Sequence, residues 1–457
     1  MSDRAETFTR PPAAEPVLLY GGTIVTMDPE RRVIPRGEVL ISNGRIAAVG
    51  RALTAVPGTR LLDVSDSIIL PGLIQGHVHL GQTLFRGLAE GRSLLPWLYE
   101  RILPLEAAYD DDSAYWSTAL GAIECLLGGT TTVADIGIYQ GFEGHLRAMV
   151  DSRLRAITGL CLMDSNAEVP AALIGETDAL LDRCAALGHR WHGHNDGRIS
   201  WSLNPRWILG CSEPLWRGIA ELADERGWPV HTHAFEYADE AEAVRQATGH
   251  SELDFFAKTG VLDTELRIAH GVQLDAEDRL RLAGHGAAVI HCPGANLKLG
   301  SEIADLLAMR DSGIPVAVSC DGPPCNNHLD ALEETRLAAR LQMLQHGPGA
   351  VSGWDALSWV TIGAARALGL DQTLGSIEVG KAADLAVLGM DATLWASSYA
   401  DPHDVVAYSA GRRHISHVFV AGEQLVEDGR LVHADVDRVQ SEAHRAAKAL
   451  WRRSALG

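Results

Sequence analysis

The stretch Ile68-Ile69-Leu70-Pro71-Gly72-Leu73-Ile74-Gln75-Gly76-His77-Val78-His79 reads as a buried apolar strand that ends in two histidines. Side chains two apart on a strand share a face, so both imidazoles converge on one spot. Further along the chain the same texture repeats. A strand carries His231-Thr232-His233 with Glu236 just after it, another ends Ala269-His270-Gly271, and a third ends Cys320-Asp321-Gly322. Between Ile68–Val78 and Val316–Cys320 lie six more apolar runs: Thr131–Ile136, Arg155–Cys161, Ile199–Leu203, Pro229–Ala234, Leu266–Gln273 and Ala288–Cys292. Helical stretches such as Asp112–Leu127, Ser212–Glu225 and Leu329–Leu344 separate most of them. Strand and helix in alternation imply a parallel sheet, and eight such units imply an α/β fold of the (β/α)8 TIM-barrel type spanning residues 67–374. In that fold chemistry sits at the C-terminal strand ends, where these polar side chains fall.

Outside the barrel the texture changes. Val17 to Asp66 alternates short apolar strands with turns, including Asn43-Gly44, a strong hairpin signal. A similar pattern returns in Ala383–Leu388 and His417–Val420. Neither segment is long enough to close a core alone, so residues 17–66 and 375–435 are expected to form one small composite β-sandwich. Residues 436–457 read as an amphipathic C-terminal helix, and residues 1–16, polar with three prolines, as a disordered lead-in.

The 457 residues carry a formal charge of −20, which disfavours nucleic acid and anionic membranes as partners. No apolar run reaches the roughly 18 residues of a membrane span. Seven scattered cysteines without a Cys-x-x-Cys pair point to free thiols in a reducing cytoplasm.

A lone His-x-His is weak evidence. His192 and His194 make one inside a polar segment and read as a solvated loop. The other two lie on separate strand ends that share a rim with Glu236, His270 and Asp321. Imidazole nitrogens with carboxylate oxygens suit a catalytic zinc or ferrous ion that keeps one position open. A nearby carboxylate and a histidine can move protons to a leaving group.

Pro71-Gly72-Leu73-Ile74-Gln75-Gly76-His77-Val78-His79, His233-x-x-Glu236, Ala269-His270-Gly271 and Asp321-Gly322 resemble the amidohydrolase superfamily. Asn326-Asn327-His328-Leu329-Asp330 and Gly375-Ser376-Ile377-Glu378-Val379-Gly380-Lys381 resemble its branch of guanine, adenosine-type and triazine aminohydrolases. The resemblance implies one divalent metal, zinc before iron, on His77, His79, His233 and Asp321. It implies that Glu236 shuttles a proton, that His270 polarises the attacked centre or the water, and that Asp321 also accepts the proton of that water. Strand four offers no lysine for a second metal. Triazine chlorohydrolases of the branch can lack the carboxylate at the Glu236 position, so its presence favours release of ammonia.

The substrate implied is a small nitrogen heterocycle. Gln82, Arg206 and Trp207 match positions at which guanine deaminases read and stack a purine, and they favour an amino-oxo ring such as guanine, 8-oxoguanine or a pterin. Glu106 pulls toward adenosine, methylthioadenosine or S-adenosylhomocysteine deaminases, in which a glutamate at that spacing binds ribose. A triazine or other cyclic amidine hydrolase is the third alternative, and a non-catalytic metal-stabilised scaffold is the alternative of another class. Pro324-Cys325 mimics the zinc motif of cytidine-type deaminases, but a histidine, His328, stands where the second cysteine belongs. Analogy with the branch adds the expectation of a homo-oligomer.

Overall fold

The computed structural model describes residues 7–9, 15–390 and 400–457. Eight parallel strands form its centre: β1 (Leu73–Val78), β2 (Thr130–Asp135), β3 (Arg155–Thr158), β4 (Ile199–Trp201), β5 (Val230–Ala234), β6 (Leu266–His270), β7 (Ala288–His291) and β8 (Val316–Val318). Ladders run β1 to β4 and β5 to β8. Two parallel bridges, Leu203 to Val230 and Val78 to Asp321, join the two halves, so the strands close a ring. Every residue of β1, β2, β6 and β7 is buried. That two-sided burial is why these strands read as continuous apolar runs without alternation.

The third strand is shorter than the expected Arg155–Cys161. It stops at Thr158, and Cys161-Leu162 forms a separate pairing with Asn204-Pro205. The break falls at Gly159, where a Cβ would lie 1.9 Å from the Ser202 carbonyl oxygen. The backbone there is pressed against its neighbour too closely for a regular ladder to continue.

The expected first strand is also two strands. Ser67–Pro71 leaves the barrel and pairs antiparallel with Leu385–Gly389 and parallel with Val17–Val25. The changeover is at Gly72, not before Ser67, because a Cβ at residue 72 would sit 2.2 Å from Thr131 Oγ1. Among the described residues the strands of both chain ends make one nine-stranded mixed sheet, where two stacked sheets were expected. Its Arg45–Gly50 edge returns to the segment before Leu385. The Ile46 N–H donates to Lys381 O, and Gly380 N–H donates to Ile46 O, each at 2.9 Å. The sheet thus curls over a core of its own that includes Leu19, Ile24, Ile41, Ile69, Leu385 and Phe419.

Helix Val436–Arg453 lays Val439, Ala443 and Ala446 against Tyr115, Trp116 and Ala119 of helix Asp111–Leu127. The lead-in expected to be structureless falls partly outside the described residues. Its described parts are hydrogen-bonded: Thr9 N–H donates to His433 O, Asp435 N–H to Thr7 O and Arg60 N–H to Pro16 O. His192 and His194 are exposed beside the N-terminal end of β4, at the far end of the barrel from the histidine-bearing rim.

Candidate active site

The rim formed by the C-terminal ends of β1, β5, β6 and β8 gathers His77, His79, His233, Glu236, His270 and Asp321 in one place. His77 Nε2 and His79 Nε2 lie 3.5 and 3.2 Å from Asp321 Oδ1. His79 Nε2 and His233 Nε2 are 3.2 Å apart. The ring centres of His77 and His233 are separated by 4.8 Å.

Neighbours set which nitrogen of each ring is bare. His233 Nδ1 donates to the Arg206 carbonyl at 2.6 Å, which leaves Nε2 with its lone pair. His77 Nδ1 lies 2.9 Å from His231 Nε2; donating there, it too turns a bare Nε2 inward. That Nε2 is buried and has no hydrogen-bond partner among the described residues. A buried lone pair with no proton facing it, beside two other imidazoles and a carboxylate, is what a cation needs. The donor set fits one zinc ion on His77, His79, His233 and Asp321. His77 with His233 and His270, and His270 with Cys292 and Asp321, also bring ligand atoms within 4.8 Å of one another.

Electrostatics follow from burial. Loss of water pushes His79 and His270 down to about 3, with Asp321 opposing the shift in both. Burial likewise lowers His233, so the His79 and His233 rings are neutral and available to a metal. Burial pushes the Asp321 carboxyl up, but the imidazoles of His77, His79 and His270 facing it hold it well below the usual range. Glu236 goes the other way. Burial first, then Glu240, Asp321 and Glu252, raise it well above an ordinary glutamate. Two carboxyls on one rim therefore differ in proton affinity, as an acid–base pair requires.

His270 Nε2 stands 3.5 Å from Glu236 Oε2 and 3.9 Å from Asp321 Oδ2. Asn296 Nδ2 lies 3.2 Å from His270 Nδ1; donating there, it makes Nε2 the protonated nitrogen that faces the site. His270 (φ 78°) and Asp321 (φ 63°) both occupy the left-handed region, a strain that residues other than glycine hold mainly at functional sites. Asp321 is not a helix cap. The next turn, Pro323–Asn326, is capped by Gly322, and the helix Ala331–His346 by Asp330.

The cavity beside this cluster is lined by Arg206, Trp207, Trp97 and Glu240 among others. Gln82 and Glu106 are not on its wall; they stand behind Arg206. Arg206 Nη1 donates to Glu106 Oε2 at 2.5 Å, and Gln82 Nε2 donates to Glu106 Oε1 at 2.8 Å. All three side chains are buried. The residues read from sequence as rival substrate guides are thus one network: Glu106 holds Arg206, and Gln82 holds Glu106.

Sequence reading missed several supporting groups. His231 was visible only as half of a His-x-His, and its role in orienting His77 was not. Asn296 follows β7 without any local signal. Asp135 ends β2 and accepts from Leu80 N–H at 2.7 Å, which fixes the turn after His79. Its other oxygen lies 3.0 Å from His145 Nε2.

Comparison with known proteins gives a consistent picture. A sequence profile described as "Amidohydrolase family" matches residues 68–425. A 5-methylthioadenosine/S-adenosylhomocysteine deaminase of Symbiobacterium thermophilum is 34% identical over 445 residues, covering 96% of this chain and 100% of the relative. The crystal structure of an atrazine chlorohydrolase from Arthrobacter aurescens complexed with zinc superposes with a TM-score of 0.88 at 25% identity, covering 94% of this chain and 100% of the other. Guanine deaminase of E. coli superposes with a TM-score of 0.81 at 25% identity, covering 90% and 99%.

Proposed function

Because this chain belongs to the amidohydrolase family and is a metal-dependent deaminase, we propose that its substrate is a free amino-oxo heterocycle of the guanine, 8-oxoguanine or pterin type. The observation that carries this reading is the Arg206–Glu106 ion pair. A ribose-binding carboxylate needs an oxygen facing the ligand. Here each oxygen of Glu106 already accepts a hydrogen bond, one from Arg206 and one from Gln82, and Glu106 is not on the cavity wall. Arg206 is on the wall, offers only donors, and so suits a ring carbonyl. Trp207 beside it supplies an aromatic surface.

In this reading His77, His79, His233 and Asp321 hold one zinc ion, which when bound acidifies the attacking water to near neutrality. Asp321, held anionic, takes the proton of that water. Glu236, whose raised proton affinity suits a carrier, delivers a proton to the leaving nitrogen, so that ammonia departs and a carbonyl remains. His270 donates from Nε2 to the attacked edge of the ring or to the water. A second reading, a methylthioadenosine or S-adenosylhomocysteine deaminase, is favoured by the names of relatives that match almost end to end. Seven unpaired, buried cysteines support a reducing, cytoplasmic setting.

The test is ammonia release by zinc-loaded protein from guanine, 8-oxoguanine, pterin, adenosine, methylthioadenosine, S-adenosylhomocysteine and aminotriazines, repeated with Arg206→Ala. Turnover of bases that collapses in the variant supports the proposal. Turnover of nucleosides alone, unchanged by Arg206→Ala, would refute it.

A further inference from the structure

One residue of the cavity wall has so far entered only as a charge beside Glu236. Glu240 lies in the first turn of helix Ala238–Thr248, one turn beyond Glu236, and lines the same cavity. It is 4% exposed, and its Oε2 is buried without a hydrogen-bond partner among the described residues. It forms no ion pair among them either. Its acidic neighbour Glu252 has a structural task, since Oε1 accepts the Phe235 N–H at 2.8 Å. The Glu240 carboxyl also meets a backbone group, the Glu236 N–H, but its Oε2 is left without a donor. Buried polar atoms are nearly always satisfied, so an orphan oxygen on a cavity wall calls for a ligand that supplies the missing donor.

The rest of the wall narrows what that donor is. Arg206 can only donate, so it reads an acceptor such as a ring carbonyl. Trp97 and Trp207 carry indole N–H groups, also donors, and both nitrogens are buried without partners. The remaining outer wall, Leu94, Leu95 and Leu98, is apolar. An amino-oxo ring presents N–H next to its carbonyl, and that N–H needs an acceptor. Asp321 and Glu236 are engaged at the reacting edge. Glu240 is the acceptor left over. Burial and the nearby Glu252 push its carboxyl up, so without a donor facing it the group prefers to keep a proton.

We propose that Glu240 is a specificity-determining residue: its carboxyl oxygen accepts a hydrogen bond from a substrate donor other than the leaving amine, which on a base is a ring N–H. Arg206 and Glu240 together then read a ring carbonyl and a ring N–H, the two halves of such an edge. The substrate is a ring that carries such an edge in addition to the amine that is released. This rests on the base-type reading of the cavity, and the experiment separates the two.

The experiment measures kcat/KM for guanine and for its 1-, 7- and 9-methyl derivatives with wild type, Glu240→Leu and Glu240→Gln, all zinc-loaded. Zinc content and the thermal midpoint of each variant show whether the fold and the metal site survive. For wild type, methylation of the nitrogen that Glu240 reads lowers kcat/KM by about 10- to 100-fold, the worth of one hydrogen bond to an ionisable group. Glu240→Leu loses a similar factor on guanine and no longer distinguishes guanine from that methyl derivative. Glu240→Gln, which keeps an acceptor oxygen, recovers part of the loss. The proposal is overturned if Glu240→Leu, with metal and midpoint intact, lowers all four rings equally or leaves guanine unchanged. Turnover of nucleosides and no base overturns the reading of Arg206. Glu240 is then judged by the same cycle on 2′-, 3′- and 5′-deoxyadenosine, where Glu240→Leu must erase discrimination against one missing hydroxyl. Turnover of no ring in either series overturns both.

Discussion

Removing one member of the Arg206–Glu106 pair isolates the interaction on which the substrate reading depends. Both side chains are 4–5% exposed, so solvent offers little screening to a charge left alone. Glu106→Ala strands a buried guanidinium, and Arg206→Ala strands a buried carboxylate. Breaking a buried pair in this way costs about 3–5 kcal/mol. Glu106→Ala also frees the Gln82 amide, worth about 1 kcal/mol more. With an unfolding entropy of about 2.1 cal/mol/K per residue, a chain of this length changes its midpoint by roughly 1 °C per kcal/mol. Each single variant should therefore melt about 3–5 °C below the zinc-loaded wild type. The double variant Glu106→Ala/Arg206→Ala carries neither charge and should melt no lower than the worse single one. Independent effects would put the double variant about 6–10 °C below wild type, so the cycle has room to decide. The assay is the thermal midpoint at fixed zinc and protein concentration, with urea midpoints as a check. Additive losses would refute the argument, because they would mean that the two charges do not depend on each other. Turnover of guanine adds a second readout. If Glu106 positions Arg206, both single variants fall by about 10- to 100-fold in kcat/KM, the range for a hydrogen bond to a charged group.

Other parts of the structure make equally definite predictions. His231 touches no reacting atom but orients His77, so His231→Ala should keep its fold and bind zinc about 10- to 100-fold more weakly in a chelator competition; unchanged affinity would remove His231 from the site. Burial pushes Glu334 up to about 8 from an ordinary 4.5, so the folded chain holds this proton more tightly than the unfolded one, and stability falls as pH rises from about 4.5 through 8. Glu334→Gln removes that fall: relative to wild type its urea midpoint should rise between pH 5 and pH 9, and an equal offset at both would contradict the assignment. Gly72→Ala places a methyl 2.2 Å from Thr131 Oγ1 and should cost about 1–3 kcal/mol in urea unfolding, whereas a neutral substitution would mean that the changeover between sheet and barrel is slack.

The barrel and its histidine-bearing rim were legible because both are written in local patterns. A strand buried on two faces is an apolar run, and a polar side chain at its C-terminal end is the residue that stops the run. His77, His79, His233, His270 and Asp321 all announce themselves in that way. The changeover at Gly72 does not, because the residues on both sides of it are equally apolar. A buried strand looks the same whichever sheet it joins. The curled single sheet was hidden for a related reason. The pairing of Ile46 with Gly380 and Lys381 joins segments more than 300 residues apart, and hydropathy says nothing about such closures.

The substrate residues show a different limit. Gln82, Glu106 and Arg206 were each assigned a job one at a time, from the positions they match in related deaminases, and Glu106 and Arg206 then stood for different substrates. A carboxylate in isolation is an acceptor for ribose hydroxyls. A carboxylate bonded to a guanidinium and an amide and set back from the cavity wall does not face the ligand, and its effect passes through the group it holds. Pairing thus changes the chemistry presented to the cavity, and residues separated by 100 positions give no sign of pairing in their order along the chain. The same reasoning runs in reverse at Glu240. In the sequence it is one acidic residue of a polar helix, with nothing to distinguish it from Asp239 or Glu242. Only its burial on the cavity wall, with an oxygen that no group among the described residues reaches, sets it apart from a solvated charge and makes it the acceptor proposed for a ring N–H.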